Sequence, residues 1–138
     1  ILRNADASGC QGVILTKDRS CGITNVVDRA SAGAVEHLAI CQVTNLARTM
    51  ELLKKSGFWI YGLAAGDDAQ PLFTTDLSGH LALVIGSEGD GLRHRTRELC
   101  DGLLEIPMIG EIASLNAASA SAVALFEVVR QQLAAAGS

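Results

Sequence analysis

The chain has 138 residues, 49% hydrophobic and 19% charged, which suits one folded domain with a real core and excludes a disordered segment. A formal net charge of −4 argues against a nucleic-acid binder that uses its whole surface, but allows a local basic patch. No apolar run reaches the length of a membrane span, and nothing at the start resembles a signal peptide.

In chain order, residues 1–8 read as the end of a helix, with Gly9 as its left-handed stop. Residues 12–16 (Gly-Val-Ile-Leu-Thr) form a short, partly β-branched run and therefore a strand. A polar loop, Lys17-Asp18-Arg19-Ser20, follows it. Residues 24–30 read as a helix capped by Thr24 or Asn25, and Ser31-Ala32-Gly33-Ala34 is a small-residue segment. Residues 38–43 are the next strand. Residues 44–56 are expected to be a helix capped by Thr44 or Asn45, with Leu46, Met50 and Leu53 on one face and Gly57 at its end.

A strand over 58–63 ends in Ala64-Ala65-Gly66, and 67–79, with Pro71, reads as a loop or short helical turn. Residues 81–85 (Leu-Ala-Leu-Val-Ile) are continuously apolar, as in a strand buried on both faces of a parallel sheet. They run into Gly86, Gly89 and Gly91, where the backbone can take positive φ and a ligand can approach closely. Residues 93–100 read as a short helix, 102–106 as a strand and 107–114 as a loop. The longest helix is expected from Leu115 to about Leu133, with Leu115, Ala118, Ala122, Leu125, Val129 and Leu133 in one stripe, and with 134–138 fraying. Strands alternating with helices imply an α/β fold with a mostly parallel sheet of about five strands, covered by helices.

Cys10, Cys21, Cys41 and Cys100 are scattered, without a C-x-x-C pair or a nearby histidine at metal-ligand spacing. They read as buried or half-buried reduced thiols of a cytoplasmic protein, and no metal site is expected. His37, His80 and His94 read as surface or internally satisfied histidines.

Three loops follow strands: 64–66, 86–91 and 107–116. If those strands are parallel neighbours, the loops cluster at one sheet edge, where open α/β folds bind ligands, and their backbone groups could surround an adenine and a ribose. Neither the Rossmann nor the P-loop fingerprint is present. Each polar residue near these loops has two readings. Ser114 or Asn116 can act at the site or cap the long helix, and Glu88 can act there or complement a helix dipole. Arg3 can bind substrate or be a solvated surface arginine. Arg93, His94, Arg95 and Arg97 can hold RNA phosphates or form an ordinary solvated face.

Together these residues resemble the SpoU (TrmH-type) branch of the SPOUT RNA methyltransferases. Arg3-Asn4-Ala5-Asp6-Ala7-Ser8-Gly9 resembles the second half of the family's first motif. Leu83-Val84-Ile85-Gly86-Ser87-Glu88-Gly89-Asp90-Gly91 resembles the second. Ile106-Pro107-Met108 through Ser114-Leu115-Asn116 resembles the third. The three motifs occur in order and cover nearly the whole chain. Within the family, Lys17–Ser20, Ser31-Ala32-Gly33-Ala34-Val35-Glu36 and Val43-Thr44-Asn45-Leu46-Ala47-Arg48-Thr49-Met50 look most like members that methylate a guanosine ribose in 23S ribosomal RNA. Transfer RNA is the alternative substrate within the enzyme reading. A non-catalytic RNA-binding relative is the alternative outside it; Arg3, Glu88, Ser114 and Asn116, all present, favour the enzyme.

The resemblance implies a deep C-terminal trefoil knot, which pattern reasoning by itself would reject. It also implies a homodimer whose sites draw on both subunits. S-adenosylmethionine would be held by backbone at Gly86, Ile106 and Leu115, with Ala64 in the first loop. Arg3, Glu88, Ser114 and Asn116 would be the catalytic positions. Arg3 would bind the substrate phosphate and organise the 2'-hydroxyl, with a role as base open. The Asn-x-Gly half of the first motif would lie before Ile1. Residues 1–138 are therefore expected to be a single catalytic domain of a longer polypeptide, with an N-terminal strand and any RNA-binding domain outside them.

Overall fold

The computed structural model describes residues 1–16, 38–86 and 91–137, which fall into two compact units, 1–46 and 47–138. The polar loop 17–20, the helix expected over 24–30, the segment 31–34, Cys21, His37 and Glu88 lie outside the described residues.

In the first unit, α1 (Leu2–Ala7) buries Leu2 and Ala5 and leads into β1 (Gly12–Thr16). β1 pairs in parallel with β2 (Ala39–Val43), Gly12 opposite Ala39 and Thr16 opposite Val43. A side chain at Gly12 would put its Cβ 3.0 Å from the Ala39 carbonyl oxygen, so glycine admits close approach there.

Helix α2 (Leu46–Lys55), which lies in the second unit from Ala47 onward, buries Met50 and half-buries Leu46 and Leu53, the expected face. Both α1 and α2 stop the same way. Gly9 at φ +78° and Gly57 at φ +93° each reverse the chain. Cys10 N–H then donates to Ala5 O at 3.0 Å and Gly9 N–H to Asp6 O at 3.1 Å. Phe58 N–H donates to Leu53 O and Gly57 N–H to Lys54 O, both at 3.0 Å. These crossed bonds are the Schellman arrangement, which satisfies otherwise orphaned carbonyls.

β3 (Trp59–Leu63), β4 (Ala69–Pro71), β5 (Leu81–Val84) and β6 (Gly102–Glu105) form a four-stranded sheet in the order β4-β6-β3-β5. All its pairings are parallel. Helix α3 (His94–Leu99) joins β5 to β6, and α4 (Ala117–Ala136) follows β6. The last strand to enter, β6, lies between β3 and β4, both earlier in the chain. The Asp101 carboxylate accepts from Ile60 N–H at 2.7 Å, and Asp101 N–H donates to Ile60 O at 2.7 Å, so one residue secures β3 where β6 begins.

Four expectations are corrected. Among the described residues the strands form two parallel sheets, one of two strands and one of four, where a single sheet of about five strands was expected; strand character does not specify the ladder partner. Residues 69–71, expected as loop or turn, form β4. Pro71 cannot donate to a ladder, and β4 accommodates it as an edge strand. β5 is half-buried throughout and not buried on both faces, because it is the opposite edge of the same sheet. Cys41 is exposed, whereas Cys10 and Cys100 are half-buried, and all three are free thiols.

Helix α4 carries the largest correction. It starts at Ala117 and runs to Ala136, so the residues expected to fray are mostly helical. The core face is not the expected apolar stripe. Ser121, Ala124 and Glu127 are buried, whereas Leu133 is 68% exposed and Ala118 is exposed. The core gathers Leu72, Leu77, Leu104 and Ala124, with Tyr61, Leu83, Ile106 and Val128 packed against it. Small and polar residues face inward because the sheet side already supplies the bulky ones.

Buried Glu127 receives Arg130 Nε at 2.7 Å and Nη2 at 2.8 Å, a bidentate pair. Gln131 Nε2 donates to Glu127 at 2.9 Å and to Thr75 O at 2.9 Å, and Gln131 Oε1 accepts from Leu77 N–H at 2.7 Å. The network ties α4 to the segment before β5. Hydrogen bonds from Arg130 hold the Glu127 carboxyl below its ordinary 4.5, with burial opposing and Gln131 adding a smaller push downward. A carboxyl whose folded pKa is depressed contributes stability above its unfolded pKa and loses it as pH falls through the folded one. Glu127→Gln is therefore expected to melt below the parent at pH 7, with the gap narrowing below about pH 4.5. Melting curves of both proteins across that range check this; a gap that is constant with pH would refute it.

Candidate active site

β6, β3 and β5 are adjacent and parallel, with Leu63 beside Leu104 and Gly62 beside Val84. Their carboxyl ends therefore open on one edge of the sheet. Three connections start there: residues 64–66 after β3, the one that leaves β5 through Gly86, and residues 106–116 between β6 and α4. Ala64, Gly86 and Ile106, predicted to hold a cofactor, are each within two residues of a strand end on this edge. Leu115, 40% exposed, lies farther along the third connection.

The edge is built by close backbone approach. A Cβ on Gly86 would lie 2.3 Å from the Gly91 carbonyl carbon and 2.4 Å from its oxygen, so the two glycines' backbones are in close approach. Gly91 sits at φ +64°, a conformation that L side chains resist. Ala64 N–H donates to Leu104 O at 3.0 Å, which extends the β3–β6 ladder one residue into the first connection. Ile106 packs against the core, so the third connection leaves from a fixed point. Beyond it the chain is open to solvent, with Ile109 94% and Ile112 72% exposed.

Of the predicted catalytic residues, Asn116 is the N-cap of α4: its Oδ1 accepts from Ser119 N–H at 2.8 Å. Such caps contribute about 1 kcal/mol. Ser114 is exposed in the connection just before it. Arg3 is exposed on α1, in the first unit, without a side-chain partner among the described residues. Glu88 lies outside the described residues.

The basic cluster is partly neutralised. Arg95 meets Glu51 at 3.5 Å, Arg97 meets Asp68 at 3.5 Å, and His94 meets Glu98 at 2.7 Å. Arg97 also borders the first connection, because a Cβ on Gly66 would stand 3.4 Å from its Nη2. Burial pushes the Cys100 thiol above its ordinary pKa. Among the described residues no three His, Cys, Asp or Glu side chains are grouped to hold a metal ion, and no helix is long and apolar enough to cross a membrane.

Sequence reasoning missed Gly62 and Leu92. A Cβ on Gly62 would lie 2.6 Å from Leu92 Cδ1, 3.0 Å from Cys100 Sγ and 3.2 Å from Leu103 Cδ2. A glycine inside an otherwise apolar strand was the available signal, since it marks a place where something approaches the backbone.

The carboxyl edge of an open parallel sheet, with three connections leaving it, is where α/β folds bind ligands. The family model for the SpoU rRNA Methylase family matches residues 1–126, and the chain belongs to that family. It is 51% identical over 131 residues to the 23S rRNA (guanosine-2'-O-)-methyltransferase RlmB of Shewanella oneidensis, covering 95% of this chain and 53% of that protein. The chain thus spans about half the length of the curated relatives of that name it matches. The SpoU methyltransferase AviRb from Streptomyces viridochromogenes, in complex with AdoMet, superposes with a TM-score of 0.86 at 30% identity, over 97% of this chain and 55% of that one. The A. aeolicus TrmH/SpoU tRNA modifying enzyme shares the fold, with a TM-score of 0.87 at 24% identity over 98% of this chain and 68% of that one.

Proposed function

We propose that residues 1–138 are the catalytic domain of an S-adenosylmethionine-dependent methyltransferase acting on a ribose 2'-hydroxyl, most specifically of a guanosine in 23S ribosomal RNA. The observation that carries this reading is the pinched turn at Gly86 and Gly91 on the carboxyl edge of β5, within the family's second motif. The relatives at about half identity are named for that reaction, and the AviRb structure contains the cofactor.

The residues present fit the cofactor. The Gly86 region admits no side chain, and the connections after β3 and β6 flank it at the same edge. Gly86, Ile106 and Leu115 would hold S-adenosylmethionine through backbone groups, with Ala64 in the first connection. The cofactor supplies an electrophilic methyl on a sulfonium, a good leaving group. What remains for the protein is alignment, and polarisation of a poorly nucleophilic hydroxyl. Arg3 would bind the adjoining phosphate and orient the ribose, its guanidinium fork matching phosphate oxygens. Glu88 and Ser114 would position the substrate. Asn116 would do so while capping α4, which places its side chain beside the third connection. Arg97 borders the first connection as an ion pair with Asp68.

The rest of the reading follows the family. The insertion of β6 between β3 and β4 is consistent with a chain that threads a trefoil knot. The apolar stripe on α4 that does not face the core, including Leu133, with exposed Phe126 beside it, suits a homodimer that completes each site. Action on ribosomal RNA would place the protein in the cytoplasm.

The test is calorimetric titration of S-adenosylmethionine, followed by methyl transfer to 23S ribosomal RNA fragments and to tRNA. Saturable binding with label on a guanosine ribose of ribosomal RNA is expected. Label on tRNA alone would move the substrate, and cofactor binding without transfer to any RNA would favour the non-catalytic relative.

A further inference from the structure

The backbone at Gly86 lies close against the backbone at Gly91 and Leu92. The two sides of this approach depart differently. Gly86 continues directly from β5, whereas Gly91 leads through Leu92 into α3. Leu92 is half-buried, and its Cδ1 occupies the space above Gly62, in the middle of the neighbouring strand β3. Gly62 is buried, and the notch left by its missing side chain is walled by Leu92, Cys100 and Leu103. Two of these walls come from the start and end of the α3 segment and the third from β6. The Gly91 side is therefore anchored through an apolar peg to the strand beside the one that leads to Gly86.

We infer that Gly62 and Leu92 form a peg-and-notch pair that positions the backbone of Gly86 and of Gly91 for cofactor binding, so that Gly62 is a positioning residue although it touches no reacting atom. The inference rests on the cofactor reading proposed above. The geometry accounts for why the pair acts on position more than on folding. The contacts a Cβ would make at Gly62 are all to side-chain ends, and Leu92 Cδ1, the tightest, can move aside by rotation. At Gly86 the corresponding contacts are to backbone, which cannot. A methyl group at Gly62 should thus be accommodated by lifting Leu92, and Gly91 is bonded directly to it. Leu92→Val removes the atom that would collide and leaves a branched apolar side chain.

The experiment is S-adenosylmethionine titration by calorimetry, with thermal melting alongside, on the parent protein, Gly62→Ala, Leu92→Val and the double variant. Gly62→Ala is expected to weaken cofactor binding by about tenfold or more while melting close to the parent. The double variant is expected to recover much of that affinity, because the two changes meet in one space and do not add. A merely structural role predicts a lowered melting temperature with unchanged affinity, and that result would overturn the inference. So would parent-like affinity in Gly62→Ala with normal binding by the parent, which leaves the cofactor reading standing. If Gly62→Ala fails to fold, Leu92→Ala, which withdraws the peg without adding volume, takes its place; unchanged affinity there refutes the pair. Failure of the parent itself to bind the cofactor would remove the cofactor reading and this inference together.

Discussion

Arg3→Ala is expected to bind S-adenosylmethionine like the parent and to lose about a hundredfold or more of its methyl-transfer rate, the usual cost of removing one preorganised charge at a reacting centre. The expectation follows from two facts. Arg3 is exposed on α1, while the three connections that would hold the cofactor all belong to the unit of residues 47–138. Arg3 also spends its side chain on no other partner among the described residues, so removing it should barely change stability. Arg3→Lys should restore only part of the rate, because an ammonium keeps the charge but not the planar fork that grips a phosphate with two parallel bonds. Single-turnover rates on ribosomal RNA, beside calorimetric cofactor affinities, check this. A parent-like rate would remove Arg3 from the mechanism, and an equal loss of cofactor binding would reassign it.

Gly86→Ala is expected to weaken S-adenosylmethionine binding by about a hundredfold or more, about 2.7 kcal/mol. The added methyl would sit 2.3 Å from the Gly91 carbonyl carbon and 2.7 Å from the Leu92 nitrogen. Both are backbone atoms, so relief requires the base of the turn to spread. Overpacking of this kind also costs about 1–3 kcal/mol of stability, enough to register as a few degrees in melting. The two effects separate by measuring affinity well below the melting transition. A folded Gly86→Ala protein with parent affinity would place the cofactor elsewhere.

Much of the local structure was legible. β1, β2, β3 and β6 lie within a residue or so of the runs 12–16, 38–43, 58–63 and 102–106. Gly9 and Gly57 end their helices as read, because positive φ is a local property that glycine alone adopts freely. The Asn116 cap is local too: Oδ1 bonds a backbone N–H three residues on. The resemblance to the SpoU family rested on motifs of this same local kind, and the family match over residues 1–126 agrees with it.

The misreadings share a cause. Residues 69–71 carry little strand signal, and they become β4 only because the edge of β6 offers a ladder. The stripe through Leu125 and Leu133 on α4 is the stronger apolar pattern, yet Ser121, Ala124 and Glu127 face the core. Periodicity reports that a helix has an apolar face, not which neighbour that face meets. Glu127 can be buried only because Arg130 and Gln131 satisfy it, one helical turn away along the same face.

The sequence by itself therefore determined most of the described strand bounds, the glycine stops at Gly9 and Gly57, the parallel α/β character of the strands and the resemblance to the SpoU family. These rest on backbone freedom, capping and hydrophobic period, all set by residues within a few positions of one another. Only the tertiary structure decided the order β4-β6-β3-β5, the gathering of Ala64, Gly86 and Ile106 at one edge, and the seating of Leu92 on Gly62. Those depend on which strands share a ladder and which side chain fills a given notch, and such pairings arise between segments distant in the chain, where no local preference selects the partner.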